Sequence, residues 1–437
     1  MSNTLKSIKD NNLTFVSAQP DETYFHWQVE IYLYQFSKHG ILDQCYAVFG
    51  YRGNTPSEYG KWLEKKYPGR IHFYKDERTP EQRNYIPSIR PHVLKKFFKQ
   101  YPKVGKNVFY HDSDIFMVKL PPFEKMLVDN NLSIGYLSDT VSYIGYDYIT
   151  ECCRRYKHDY PELPEDDLLN KMCEICGIDK NLVKSNQANA GGAQYLLKNI
   201  GAKFWIDVES CSNKMWSMFK KYETTYPIKD HIQSWTTDMW AVLWTYWGRG
   251  KKTVVDKNLE FSWGVSSVSD YNRHNIFHLA GVTSNMRNTH FYKGEFTNRN
   301  VFAEYKKNKD LFSNVSNTSA THEYVKIIKE YVDKGGGGPV AASTAKVNNV
   351  PKADRFELKT ALPFGDIYRR VPKQFGGANM WRSRDNKYII FKALCGWVLT
   401  DKIYEQEINA DSGGHATNSS EEPYLDGWNI ECSVKTL

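Results

Sequence analysis

The stretch Val108-Phe109-Tyr110-His111-Asp112-Ser113-Asp114-Ile115-Phe116-Met117 carries the clearest chemistry in the 437-residue chain. Two carboxylates two residues apart, with apolar residues on both sides, sit where a strand would end. There they can share one hard cation that keeps open positions for the oxygens of a diphosphate. The triplet alone arises by chance in a chain of this length; the strand-like context is what separates it from an exposed acidic turn. Such a site takes a further ligand from a distant segment. Asn275-Ile276-Phe277-His278-Leu279-Ala280-Gly281 supplies His278, followed by a glycine that permits close approach to phosphate. A lone histidine in an apolar run is otherwise a satisfied core residue.

The elements that must position these residues alternate. Leu13–Ala18 reads as a buried strand, Tyr24–His39 as an amphipathic helix, Cys45–Phe49 as a strand, Ser57–Lys66 as a helix and Ile71–Tyr74 as a strand. Pro91–Tyr101 follows as a helix and Asn107–Tyr110 as a fourth strand. That order predicts βαβ units and an α/β domain with a mainly parallel sheet. Ligands of such sheets bind at the carboxyl ends of the strands, where the acidic triplet falls.

Composition sets the outer limits. With 41% hydrophobic and 25% charged residues the chain is globular, neither disordered nor collagen-like. No apolar run approaches the roughly 20 residues of a membrane span. The 58 Lys+Arg against 50 Asp+Glu leave +8, which suits an anionic ligand such as a nucleotide diphosphate and falls short of a nucleic-acid-binding face. The first residues lack the apolar segment of a secretory signal. The expectation is therefore a cytoplasmic protein whose eight cysteines stay reduced. Aromatics reach 15%; their ring faces can stack on pyranose rings or simply fill a core.

Lys334-Gly335-Gly336-Gly337-Gly338-Pro339 and the Ala/Ser/Thr/Asn stretch behind it read as a flexible linker over 334–354. It separates a large domain, 1–333, from a small β-rich module, 355–437. In that module Trp381, Trp397 and Trp428 stand among glycines, as a small core or as an accessory glycan binder on a tether.

Taken together, these motifs resemble a metal-dependent glycosyltransferase of the GT-A fold, and most nearly the hydroxyproline O-arabinosyltransferase and peptidyl-serine galactosyltransferase group. Tyr85-Ile86-Pro87-Ser88-Ile89-Arg90-Pro91 is similar to that group's Y-P-x-x-N-[RK]-P stretch, with Ile89 in place of Asn. Asp112-Ser113-Asp114-Ile115-Phe116 with Leu120-Pro121 resembles its D-x-D-x-x-F and following proline pair, with Phe116 one position early. Asn189-Ala190-Gly191-Gly192 stands where the group begins an acceptor-side strand. Trp235-Thr236-Thr237-Asp238-Met239-Trp240-Ala241 resembles W-x-x-E-M-[YW]-A, with Asp for Glu. The match covers roughly residues 10–300 as spaced motifs.

The resemblance implies a nucleotide-sugar donor, UDP-linked for preference, and a protein or glycan hydroxyl as acceptor. It implies Mn²⁺ or Mg²⁺ on Asp112, Asp114 and His278. Ala18, Gln19 and Asp76 at strand ends would contact the nucleoside, Ser113 the donor, and Arg90 its phosphate or sugar. Asp238 would act near the anomeric carbon, as base or as a stabiliser of positive charge; otherwise it caps or decorates the helix 238–247. Asn189, Gly191 and Trp235 would lie by the acceptor. The group works in the secretory pathway; without a signal or anchor, a soluble transferase of a microbe or large virus fits better.

Two rival readings accompany this one. A non-catalytic carbohydrate-binding or virion-associated protein could keep the scaffold without turnover. A sugar nucleotidyltransferase shares the topology, though no Gly-rich phosphate loop follows the first strand. Cys152-Cys153 with Cys173-Glu174-Ile175-Cys176 has thiolate spacing, but adjacent cysteines are awkward ligands for one zinc. Ser138–Tyr148 reads as a loop that could close over a donor or pack on the surface.

Overall fold

The computed structural model describes residues 2–127, 133–139 and 141–339, and the backbone of strands within 355–437. Two units divide the chain, 1–341 and 342–437.

In the first unit the strands are β1 (Leu13–Pro20), β2 (Cys45–Tyr51), β3 (Ile71–Lys75), β4 (Asn107–His111), β5 (Ile115–Met117), β6 (Ile134–Asp139), β7 (Gly191–Lys198), β8 (Lys252–Val255), β9 (Phe261–Trp263) and β10 (Ile276–His278). Seven of them form one sheet in the order β3-β2-β1-β4-β7-β6-β8. All pairings are parallel except those of β7, which runs against both β4 and β6. The architecture is α/β with a mostly parallel central sheet, and the predicted strands and helices up to residue 111 occur in sequence order.

Every residue of β1 is buried, as a central strand covered on both faces must be. Alternation along it feeds two cores. Phe15 packs with Trp27, Phe36 and Phe109 on one side, while Val16 packs with Val48, Val93 and Trp205 on the other. The helix Thr23–Lys38 serves the first core, and the helices Ile89–Gln100, Ala202–Thr225 and Thr237–Gly248 serve the second. Helix entry is set locally: Ser57 accepts the Gly60 N–H at 3.0 Å and so caps the helix Glu58–Lys66.

A second sheet of three short strands, β5-β10-β9, matters most for chemistry. β10 pairs antiparallel with β5, setting His278 opposite Ile115, and the Leu279 N–H donates to the Asp114 carbonyl at 3.0 Å. Backbone pairing thus carries the histidine to the acidic triplet.

Three expectations need correction or refinement. The segment read as the loop 138–148 is largely regular: the end of β6, a short helix Val141–Ile144 and the start of the helix Tyr146–Asp159. The cysteines are not all reduced: Cys176 and Cys211 form a disulfide between the helices Asp167–Cys176 and Ala202–Thr225, while Cys45, Cys152, Cys153 and Cys173 are free and buried. Compartment arguments from the first residues say nothing about which thiols the fold brings together. Finally, the glycine tract belongs to the first unit and is held by it. The Gly337 and Gly338 N–H groups donate to the two oxygens of buried Glu30 at 3.1 and 3.2 Å, and Asn300 Nδ2 donates to the Gly338 carbonyl at 3.4 Å. Composition describes the tract's freedom in isolation; a buried carboxylate captures it here.

Within 355–437 the strands β11 (Arg355–Lys359), β12 (Asp366–Phe375), β13 (Ala378–Ser383), β14 (Tyr388–Ala393), β15 (Gly396–Asp401), β16 (Ala416–Asn418) and β17 (Ser433–Thr436) pair in the order β16-β15-β14-β13-β12-β11-β17. Trp381 falls on β13 and Trp397 on β15, whereas Trp428 and residues 340–354 of the expected linker lie outside the described residues.

Candidate active site

The turn after β4 and the β5-β10-β9 sheet open onto a cleft of about 640 Å³. Asp112, Asp114 and His278 stand on its wall with ligand atoms all within 4.8 Å of one another, the one such group found among the described residues. His278 Nε2 is 3.4 Å from Asp114 Oδ1 and 4.0 Å from Asp112 Oδ2. Ligand atoms on one octahedral cation with bonds of about 2.1 Å stand about 3.0 Å apart when adjacent and about 4.2 Å when opposite. The observed separations fall between these limits. They exceed the usual 2.7–2.9 Å of a charge-assisted hydrogen bond. The three side chains therefore fit a divalent cation by donor chemistry, and His278 fits it by its spacing to each carboxylate. The His278 ring lies nearly parallel to Trp263, 5.6 Å between centroids and 22° between planes, which holds the imidazole edge toward the carboxylates.

Two cations partly balance the acidic charge. Arg90 Nη1 stands 2.9 Å from both Asp112 Oδ1 and Asp238 Oδ2, and Lys293 pairs with Asp114. Burial pushes the Asp112 carboxyl above its ordinary value, and the neighbouring Asp114 charge adds to this while Arg90 opposes it. Burial acts the same way on Asp114, yet Lys293 and His278 outweigh it and hold that carboxyl well below the usual range. One acidic group is thus firmly ionised beside one that resists ionisation, as two crowded carboxylates should be.

Asp238 lies in the first turn of the helix Thr237–Gly248 and is buried. It neither caps the helix nor faces water. The Tyr85 hydroxyl donates to Asp238 Oδ1 at 2.9 Å and accepts the Asp238 N–H at 2.8 Å, while Arg90 holds the other oxygen. Tyr85, Arg90 and Asp238 thereby join two separate motifs of the sequence in one network. Trp235 stands at the cleft with 61% of its surface exposed, and Ser113 donates to Gln28 Oε1 at 3.0 Å.

Other expected residues lie elsewhere. Asp76 lines a separate cavity of about 200 Å³ with Pro20, Arg52 and Arg78. Although burial opposes it, Arg78 brings the Asp76 carboxyl down to about 2 by binding it through Nε and Nη2 at 2.9 and 3.0 Å. Ala18 and Gln19 are buried in the sheet and line neither cavity; Gln19 donates to the Val48 carbonyl at 3.3 Å. Asn189 is tied to Asn186 at 3.3 Å, away from the cleft. Gly191 serves the sheet: a Cβ there would lie 1.9 Å from the Ser138 carbonyl oxygen. Ala193, two residues on, does line the cleft, with φ at +66°, a conformation that costs a non-glycine residue.

Sequence reasoning missed Lys293, a single lysine among the aromatic residues Phe291, Tyr292 and Phe296 with no periodic signal. It also passed over Tyr85 as a site residue, although the tyrosine lay inside a motif already singled out.

No protein family matches the chain, and no curated protein does. Faint likenesses to solved structures exist. The apo structure of the bifunctional glycosyltransferase WbbM is 10% identical with a TM-score of 0.35, over 72% of this chain and 51% of that one. Mouse xyloside xylosyltransferase 1 is 9% identical with a TM-score of 0.31, over 61% and 97%. A glycosyltransferase involved in glycosylating the major capsid of PBCV-1 is 12% identical with a TM-score of 0.29, over 63% and 96%. All three are glycosyltransferases. The chain spans about half the length of WbbM. Likenesses this faint leave the function to be argued from the site.

Proposed function

We propose that the chain is a metal-dependent glycosyltransferase of the GT-A type, moving a sugar from a nucleotide-sugar donor, preferably UDP-linked, to a hydroxyl of a protein or glycan acceptor. The observation that carries this reading is the meeting of Asp112, Asp114 and His278 in one cleft with Arg90, Lys293 and Asp238. A binding site for a neutral molecule gains nothing from three acidic groups and two cations at such close quarters. A departing diphosphate uses both kinds of charge.

Asp112, Asp114 and His278 would hold Mn²⁺ or Mg²⁺, which supplies Lewis-acid neutralisation of the leaving diphosphate. Arg90 and Lys293 already neutralise the carboxylates and would turn toward phosphate oxygens once a cation takes their place. The acceptor oxygen forms its bond to the anomeric carbon as the bond from that carbon to the diphosphate oxygen breaks. Asp238, held at both oxygens by Tyr85 and Arg90, takes the acceptor proton if configuration inverts. If configuration is retained it stabilises positive charge on the sugar, and the acceptor proton passes to the departing diphosphate oxygen. The small cavity beside Asp76, at the carboxyl ends of β1, β2 and β3, would take the nucleoside. The β-strands of 355–437 would form a separate accessory module.

Thermal shifts with nucleoside diphosphates and nucleotide sugars, each with and without Mn²⁺, test the reading. At least one UDP- or GDP-compound should raise the melting temperature only when metal is present, and Asp112→Ala with Asp114→Ala should abolish the shift. No shift with any nucleotide under any metal would sink the proposal.

A further inference from the structure

Exposed apolar surface on this unit is unevenly spread, and the largest exposed ring belongs to the cleft. Trp235 is 61% exposed and Tyr143 is 38% exposed, and both line it. The backbone of the tryptophan is fixed rather than loose: it belongs to the short helical turn Ser234–Thr236 that leads into Asp238, and its carbonyl oxygen lies 3.2 Å from the Tyr85 oxygen, whose proton goes to Asp238. Two residues before it, Gln233 also lines the cleft, and its Oε1 is buried with no hydrogen-bond partner. A buried carbonyl oxygen without a donor costs free energy unless a ligand supplies one. An exposed indole and an unpartnered acceptor atom therefore flank the same turn, immediately ahead of the carboxylate assigned to the acceptor side.

From this we infer that the acceptor is a saccharide, with one sugar ring stacked on Trp235 and one of its hydroxyls donating to Gln233 Oε1. The inference rests on the transferase reading and names the acceptor class within it. A pyranose presents an apolar C–H face and, at its edge, hydroxyl donors; the site presents the complement of each. A peptide acceptor would be expected to use an open sheet edge or a helix groove. Trp235 and Met239, which flank Asp238 in the chain, come instead from a short helical turn and a helix start, and Arg90, which pairs with it, comes from a helix.

The test uses the full chain with saturating UDP and Mn²⁺, and as probes methyl β-galactoside, methyl α-glucoside, lactose, maltose and cellobiose. Tryptophan fluorescence and saturation transfer to the sugar C–H protons read binding. At least one probe should bind, with transfer strongest on one ring face. Trp235→Ala should weaken that binding at least tenfold, Trp235→Phe should recover most of it, and Gln233→Ala should weaken it severalfold. Stabilisation by UDP and Mn²⁺ should persist in all three variants, which shows that they fold. No binding by any probe, or binding that Trp235→Ala leaves intact, overturns the inference. Failure of UDP and Mn²⁺ to stabilise the unsubstituted chain would instead strike the transferase reading, whereas sugar binding lost on Trp235→Ala would still stand.

Discussion

Glu30 and Asp114 are both buried carboxylates in the same unit, at 0% and 8% exposure, and the fold treats them in opposite ways. Glu30 is surrounded by donors. Tyr59 Oη at 2.6 Å, Lys66 Nζ at 3.3 Å, Tyr331 Oη and the two glycine N–H groups occupy both of its oxygens. Asp114 faces another carboxylate and an imidazole at 3.4 Å, with Lys293 as its neutralising partner. Burying a charge is costly unless it is paired and hydrogen-bonded. A carboxylate given every donor it can use is a structural tie. One set beside further acidic groups leaves room for something the protein does not itself supply, and that difference marks the site.

Removing each carboxylate should make the contrast measurable. Glu30→Ala strands a lysine, two phenols and two backbone N–H groups, so urea unfolding should show a loss of about 3–5 kcal/mol, with no dependence on metal. Asp112→Asn and Asp114→Asn should differ from it in their dependence on metal. Without metal Asp112→Asn should cost about 1 kcal/mol, and Asp114→Asn more, because it leaves Lys293 without its partner. The gain of roughly 2.7 kcal/mol that Mn²⁺ at a hundredfold excess over its dissociation constant gives the unsubstituted chain should vanish. Metal-independent collapse of the Asp112 and Asp114 variants would break the comparison.

The Asp76–Arg78 pair sharpens it from a third position. Its carboxyl sits at about 2 rather than 3.8, so the unfolded chain takes up this proton first. The pair's stabilisation, about 2 kcal/mol at 1.36 kcal/mol per unit, is present in full above about pH 4 and lost as pH falls through 2. Asp76→Asn should flatten that acid limb in unfolding experiments followed against pH. Tyr85→Phe removes a hydroxyl that both donates to Asp238 and accepts its N–H. A cost of about 1–2 kcal/mol is expected, with a larger fall in transfer rate than in donor affinity. Trp235→Ala, at an exposed ring, should leave stability within about 0.5 kcal/mol.

Much of this was legible in the residues. The β1–β4 strands and their helices follow from apolar runs separated by amphipathic stretches. The Asp112 and Asp114 pair stands out because a strand must end there, and His278 because a polar ring interrupts a β-like run. What stayed hidden depends on tertiary contact. Lys293 reaches Asp114 from a segment without periodicity, and Ala193 shows its positive φ only once β7 meets β6. Cys176 finds Cys211 because two helices cross. The glycine tract was read as free because Glu30, mid-helix and unremarkable in sequence, does not announce what it will bind.

That last contact fixes where the first unit can be cut. A chain ended after Asp333 would carry every helix and strand of the α/β fold through the helix Ala320–Asp333, yet leave Glu30 short of two donors. One ended after Pro339 keeps Gly337 and Gly338 in place, and with them the Asn300 contacts to the Gly338 and Pro339 carbonyls at 3.4 and 3.3 Å. For anyone trimming this protein to its first unit, the six residues that look most expendable are the ones to retain.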